Sequence, residues 1–131
     1  MLFSPNEKRN MPLVLTFHGF GDTENLSGCR IASEIAEPEN QKTRPCFVLA
    51  PVMEDSIYLS LSEREKTYRE LKEIIDDLIA SGKVDGNRIY IAGNSFGGLA
   101  SIEFAEMYPE SVACALVLCP ALTYSQNSVR N

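Results

Sequence analysis

The sequence of 131 residues contains no tryptophan, only four cysteines and a single histidine, His18. Thiols at Cys29, Cys46, Cys114 and Cys119 are too few and too scattered for a disulfide scaffold or a zinc site. They read as reduced, mostly buried cysteines of a cytoplasmic protein. Long apolar runs are also missing: nothing approaches the roughly 18 residues that span a bilayer, so no membrane segment is expected. The opening Met1-Leu2-Phe3-Ser4-Pro5-Asn6-Glu7-Lys8-Arg9 lacks the ordered basic, apolar and small-residue regions of a signal peptide. Positive charge is in deficit too. Twelve Lys and Arg against eighteen Asp and Glu leave a net charge of −6, the wrong sign for a nucleic-acid partner.

What is present is an ordinary globular balance, 44% apolar and 23% charged, in a length that suits one domain over residues 1–131. Leu13-Val14-Leu15-Thr16-Phe17-His18, closed by Gly19, is a continuous apolar run of the kind buried on both faces of a parallel sheet. A modest helix follows from about Leu26 to Ala36, ended by Pro38. Cys46 to Ala50, between Pro45 and Pro51, is a second buried strand. Ser62 and Glu65 fit a capping box ahead of a long amphipathic helix on which Tyr68, Leu71, Ile75, Leu78 and Ile79 share one stripe. Its charged residues, Glu63 to Asp77, read as a solvated face with pairs such as Glu65–Arg69. Gly82 is its stop. The turn Val84-Asp85-Gly86-Asn87 leads into a third strand, Arg88 to Gly93. A small-residue helix from about Phe96 to Met107 and a fourth strand, Val112 to Cys119, complete the pattern. Strands alternating with helices imply a parallel sheet of at least four strands, covered by helices on both faces.

The sharpest chemical signal is Gly93-Asn94-Ser95-Phe96-Gly97-Gly98, a G-x-S-x-G pattern directly after a buried strand and directly before a helix. A serine nucleophile needs such a tight turn to stand clear of the sheet, and Gly93 and Gly97 avoid collisions across it. The Phe96 amide, at the helix N-terminus, is the expected donor to an oxyanion. A glycine-rich turn with an incidental serine is the bland alternative, and the strand-turn-helix context argues against it. The loop His18-Gly19-Phe20-Gly21-Asp22-Thr23 ends the first strand and is expected on the same rim, where its Phe20 amide supplies a second donor. It lacks the third glycine of a dinucleotide loop, and no Gly-Lys-Ser/Thr follows any glycine cluster. No cofactor and no metal are implied.

Together these segments resemble the α/β-hydrolase superfamily from about Leu2 to Thr123. Pro12 to Gly19 looks like the family's third strand and its oxyanion segment, and Arg88 to Gly98 like its fifth strand and nucleophile elbow. With the strand ending Val48-Leu49-Ala50-Pro51, the set is most similar to small carboxylesterases of the feruloyl-esterase and prolyl-oligopeptidase-like group. The loop at His18 also resembles that of acyl-protein thioesterases. The resemblance implies a three-layer sandwich, with the four strands in the order second, first, third, fourth. It implies Ser95 as nucleophile, the Phe20 and Phe96 amides as oxyanion hole, and Asn94, Gly93 and Gly97 as the elbow. His18, Gly19 and Gly21 then support the oxyanion loop, His18 orienting it without taking the serine proton.

The chain departs from that family in one respect. Its triad runs Ser, then Asp or Glu, then His, yet no histidine or aspartate follows Ser95, and the only later acids are Glu103, Glu106 and Glu110. Met1-Leu2-Phe3-Ser4-Pro5 looks like the tail of an earlier strand, so the chain reads as the central part of a hydrolase missing both flanks, including the C-terminal strands that bring the acid and the histidine. Its expected activity is hydrolysis of a small-molecule carboxylic ester through an acyl-Ser95 intermediate, with base help from elsewhere. A non-catalytic remnant or binding module, and a peptidase or thioesterase of the same superfamily, are the alternatives. Met53, Ile57 and Tyr58 either touch the acyl or alcohol group or shield the core. Cys114 and Cys119, on opposite strand faces, cannot share a metal. Open edges on the second and fourth strands lead to an expectation of self-association.

Overall fold

A computed structural model describes residues 1–6, 9–21, 29–54 and 60–122. The strands are β1 (Leu2–Phe3), β2 (Met11–Phe17), β3 (Phe47–Leu49), β4 (Val84–Asn94) and β5 (Cys114–Leu118). The helices are α1 (Arg30–Ala36), α2 (Pro38–Thr43), α3 (Leu61–Ala80) and α4 (Phe96–Met107). The sheet order is β1-β3-β2-β4-β5, with β1 antiparallel and every other pairing parallel. The order expected for the four parallel strands is therefore found. The strand tail expected at the N-terminus is β1, which pairs Leu2 with Leu49 and Phe3 with Val48, so the outer edge of β3, expected to be open, is covered.

The alternation of strand side chains sets the two layers. Leu13, Leu15 and Phe17 of β2 join Phe47 and Leu49 of β3 and Ile89 and Ile91 of β4. Onto them pack Tyr68, Leu71, Ile75 and Leu78 of α3, with Phe96, Leu99 and Phe104 of α4. Tyr68 meets Phe17 and Phe104 edge-on at centroid distances of 5.8 and 5.9 Å, an arrangement favoured by the ring quadrupoles, and Phe17 lies tilted against Phe104 at 6.2 Å. On the opposite face Ala32 of α1 packs on Cys46, Val48 and Ala50, with Ile31 and Ile35 beside it.

Several local readings shift. Residues 26–28 lie outside the described residues; α1 is described from Arg30, and Pro38 opens α2 at its first turn, where the missing N–H costs nothing. The long helix starts earlier than Ser62: its N-cap is Ser60, whose Oγ accepts from the Glu63 amide at 3.4 Å. The same S-x-x-E spacing recurs two residues upstream, and the extended Ser60 backbone decides between the two. The ion pair found on this helix's surface is Lys72–Asp76 at 2.6 Å, in place of Glu65–Arg69. The turn at Asp85 is absorbed into β4 as a bulge. Opposite Pro12, which has no ladder N–H, the register jumps from Met11↔Val84 to Leu13↔Ile89, and Asp85 accepts from the Asn87 amide and Arg88 Nε.

β5 differs most from expectation. It reads as a buried strand, yet Leu116 and Leu118 are 55% and 41% exposed, because among the described residues nothing packs over its outer side. Cys114 and Cys119 are also exposed, and only Cys29 and Cys46 are buried. Tyr90 shares this bare face. Nearby, a groove of about 400 Å³ between α1–α2 and the sheet is lined by Val14, Ile35, Cys46 and Tyr90, among others, and by no residue of the Ser95 or His18 turns.

The stop of α3 is a Schellman arrangement: the Gly82 amide donates to Ile79, the Lys83 amide to Leu78, and Gly82 has φ +73°. A Cβ there forces a left-handed L-residue. Gly82→Ala should destabilise by about 1–2 kcal/mol. Gly86→Ala, which meets only the Ile79 side chain at 3.4 Å, should be close to neutral. Urea midpoints of the two variants check the contrast.

Candidate active site

The Ser95 turn is a meeting of backbones. Ser95 adopts φ 55° and ψ −120°, a conformation that costs a non-glycine residue on the order of 1–3 kcal/mol and persists only where its surroundings impose it. Here they do. The Ser95 amide donates to the Leu118 carbonyl at 2.9 Å, and the Ser95 carbonyl accepts from Gly98, Leu99 and Ala121. Ser95 and Asn94 are exposed, and the Ser95 side chain does not cap its own helix. The hydroxyl therefore stands at the open rim, at the positive end of α4.

Two glycines explain why the turn can be this tight. A Cβ on Gly93 would lie 2.1 Å from the Gly97 carbonyl oxygen, and one on Gly97 would lie 2.1 Å from the Phe17 carbonyl oxygen and 2.8 Å from that of His18. The first turn of α4 thus rests directly on the end of β2. Phe17 is also the register partner of Gly93. The His18 loop and the Ser95 turn consequently share one rim.

His18 is 2% exposed and lies beneath that loop. Its Nδ1 is 2.7 Å from the Gly19 carbonyl oxygen, and its Nε2 is 2.8 Å from the Met53 amide nitrogen. A carbonyl can only accept and an amide N–H can only donate. The ring therefore carries its proton on Nδ1, and its Nε2 lone pair is taken. No ring nitrogen remains to receive a proton from Ser95. The contact orients the loop as well. In a trans peptide C=O and N–H point in opposite directions, so a Gly19 carbonyl held by the imidazole turns the Phe20 N–H away from it. Phe20 itself is 67% exposed, and Gly21 has φ +82°, which glycine tolerates. Asp22 and Thr23 lie outside the described residues, as do Ile57 and Tyr58. Met53, 1% exposed, belongs to the core, so of its two expected roles it takes the shielding one.

Sequence reasoning missed a buried ionic cluster behind the turn. Arg64 Nε and Nη2 donate to the two oxygens of Glu103, each at 2.8 Å, and the Tyr68 hydroxyl donates to Glu103 Oε2 at 2.8 Å. Arg64 and Glu103 are 3% and 9% exposed, and the guanidinium lies 5.7 Å from the centre of the Phe96 ring. The Glu103 hydrogen bond raises the Arg64 pKa further. Burial first, then the Glu103 carboxylate, pushes the Tyr68 phenol well above its ordinary value. A signal for the cluster was available: Arg64 sits on the stripe of Tyr68, Leu71 and Ile75, and Glu103 stands between the apolar Ile102 and Phe104 in the small and apolar first part of α4.

The sequence matches no protein-family profile, and no curated protein resembles it significantly. Solved structures do. A thermostable esterase superposes with a TM-score of 0.75 at 33% identity, over 88% of this chain and 35% of its own. An esterase from Pyrobaculum calidifontis gives 0.70 at 21% identity, over 92% of this chain and 40% of its own. The S-formylglutathione hydrolase FrmB of Staphylococcus aureus gives 0.68 at 19%, over 94% and 49%. The fold is that of the α/β-hydrolase superfamily. The chain spans about a third to a half of the length of these esterases and hydrolases.

In this hydrolase fold the close approach of Gly97 to β2 is the most sensitive point. Gly97→Ala should cost more than about 3 kcal/mol, since neither backbone carbonyl can yield without moving β2. Gly98→Ala, whose Cβ meets Leu118 and Pro120 at 3.1–3.2 Å, should cost clearly less. Equal denaturation midpoints for the two variants would show that α4 does not rest on β2 in this way.

Proposed function

We propose that the chain carries the nucleophile and oxyanion side of a serine ester hydrolase. The observation behind this reading is the strained, exposed Ser95 at a strand-to-helix turn that abuts the His18 loop. Likeness to a thermostable esterase at 33% identity supports an ester as substrate. In the proposed reaction Ser95 Oγ bonds to the ester carbonyl carbon while the π pair moves onto oxygen. The Phe20 and Phe96 amides receive that charge, and its return expels the alkoxide, leaving acyl-Ser95 for water to attack in the same way. The proton of the Ser95 hydroxyl needs an acceptor, and His18, engaged on both nitrogens, is not that group.

The chain by itself should therefore be a feeble esterase. With p-nitrophenyl acetate, residual acceleration of about 10³–10⁴ over water is expected, the level that oxyanion stabilisation and binding sustain without a working triad. Ser95→Ala should change this rate little. Strong turnover abolished by both Ser95→Ala and His18→Ala would identify His18 as the base and overturn the proposal. Strong turnover surviving His18→Ala would place the base on a second chain. A rate indistinguishable from water would favour the alternative of a non-catalytic binding module.

Self-association is a further part of this reading, carried by the exposed apolar side chains of β5, whereas β3 is shielded by β1. Sedimentation at tens of micromolar should show species larger than 14.5 kDa, and Leu116→Lys should return the chain to a monomer.

A further inference from the structure

We infer that Arg64 is a positioning residue for the Phe96 amide, acting through the Phe96 ring and through its ion pair with Glu103. The inference rests on the proposed role of that amide as an oxyanion donor and adds the group that holds it in place. Phe96 directly follows Ser95, and its side chain is 2% exposed. The orientation of its N–H follows from where α4 sits and how its first residue is turned. The Ser95 carbonyl, held by the Gly98, Leu99 and Ala121 amides, sets the plane of that peptide, and Arg64 bears on where α4 and its first side chain rest. Its guanidinium lies against the Phe96 ring, at a distance where a cation is attracted to the ring face. The same planar group grips Glu103, two turns further along α4, through two parallel hydrogen bonds. A fork-to-carboxylate contact fixes direction as well as distance, which a lysine ammonium does not. Tyr68, one turn after Arg64 on α3, holds the same carboxylate and keeps it from turning.

Charge points the same way. Glu103 is a carboxylate buried in the helix that begins at Ser95, and an uncompensated anion there opposes a second negative charge developing at the rim. Arg64, which is always protonated, offsets it. Removing one member of such a buried pair is costly, so stability alone cannot identify the role. The test must read the Phe96 amide itself.

The full chain suits ¹⁵N–¹H correlation spectroscopy together with the p-nitrophenyl acetate assay. Arg64→Lys keeps the charge and loses the fork; Glu103→Gln keeps the shape and loses the charge. Both should shift the Phe96 amide resonance and lower the second-order rate constant by about 10- to 100-fold, the scale on which small misplacements act. Leu71→Val, a core change on the same helix, should lower the denaturation midpoint while leaving that resonance and the rate in place. An unmoved Phe96 resonance with a wild-type rate in Arg64→Lys overturns the inference. So does an equal effect of Leu71→Val, which reduces the cluster to packing. If the wild-type chain shows no catalysis, the ester-hydrolase reading falls, and the Phe96 resonance alone then decides for or against Arg64. Should Arg64→Lys not fold, Glu103→Gln carries the same comparison.

Discussion

One contact organises the rest: the Gly97 Cα lies against the carbonyl groups that end β2, with no room for a side chain between them. Backbone meeting backbone leaves little latitude, so the helix carrying the Ser95 turn and the strand leading to the His18 loop have one relative position. That position requires β2 and β4 to be neighbours, which the register Phe17↔Gly93 delivers. The hydrophobic layer follows suit. Leu15 and Phe17 of β2 and Ile91 of β4 point to the face on which α4 lies, so burial of Leu99 and Phe104 holds the helix against the same two strands. Core packing and rim geometry therefore reinforce each other.

Strain at Ser95 is offset from an unexpected direction. The Leu118 carbonyl receives the Ser95 amide, and the Ala121 amide reaches back to the Ser95 carbonyl, so the segment after β5 wraps the turn. Cys119, between these two contacts, takes φ 44° to allow it. β5 thus helps shape the site although its side chains are largely exposed. The exposure and the role do not conflict, because the wrap uses main-chain groups and the solvent sees mainly side chains.

How far the sequence revealed this arrangement depends on the kind of interaction. Parallel strands announced themselves as apolar runs closed by Gly19, Pro51 and Gly93, and the glycine pattern around Ser95 carried its own geometric reason. The two-residue displacement of the α3 cap arose because Ser60-x-x-Glu63 and Ser62-x-x-Glu65 are equivalent in spacing, and only the backbone at Ser60 separates them. Burial of β5 was misjudged since apolar composition states what a strand prefers to cover, not whether a neighbour is there. The Arg64–Glu103 pair escaped because its members are 39 positions apart on different helices. Each interrupts an apolar stripe of its own helix, but only the tertiary docking of α3 on α4 makes them partners.

The single histidine shows how one position can be chemically prominent and mechanistically indirect. A strand-end imidazole beside a serine turn invites assignment as a general base. Its surroundings decide otherwise: Met53 N–H occupies one nitrogen and the Gly19 carbonyl the other, so the ring is consumed in fixing two loops to each other. That use has a consequence for the rim. A carbonyl turned inward to His18 obliges the following amide to face outward, and in the inference drawn above the Arg64 cluster at the Phe96 ring plays the matching part for the Phe96 amide. On that inference both buried groups act on main-chain donors rather than on a substrate. His18 and the Arg64–Glu103 pair are both fully engaged by hydrogen bonds beneath the rim. The hydroxyl they surround is left exposed, open to a proton acceptor from the solvent side.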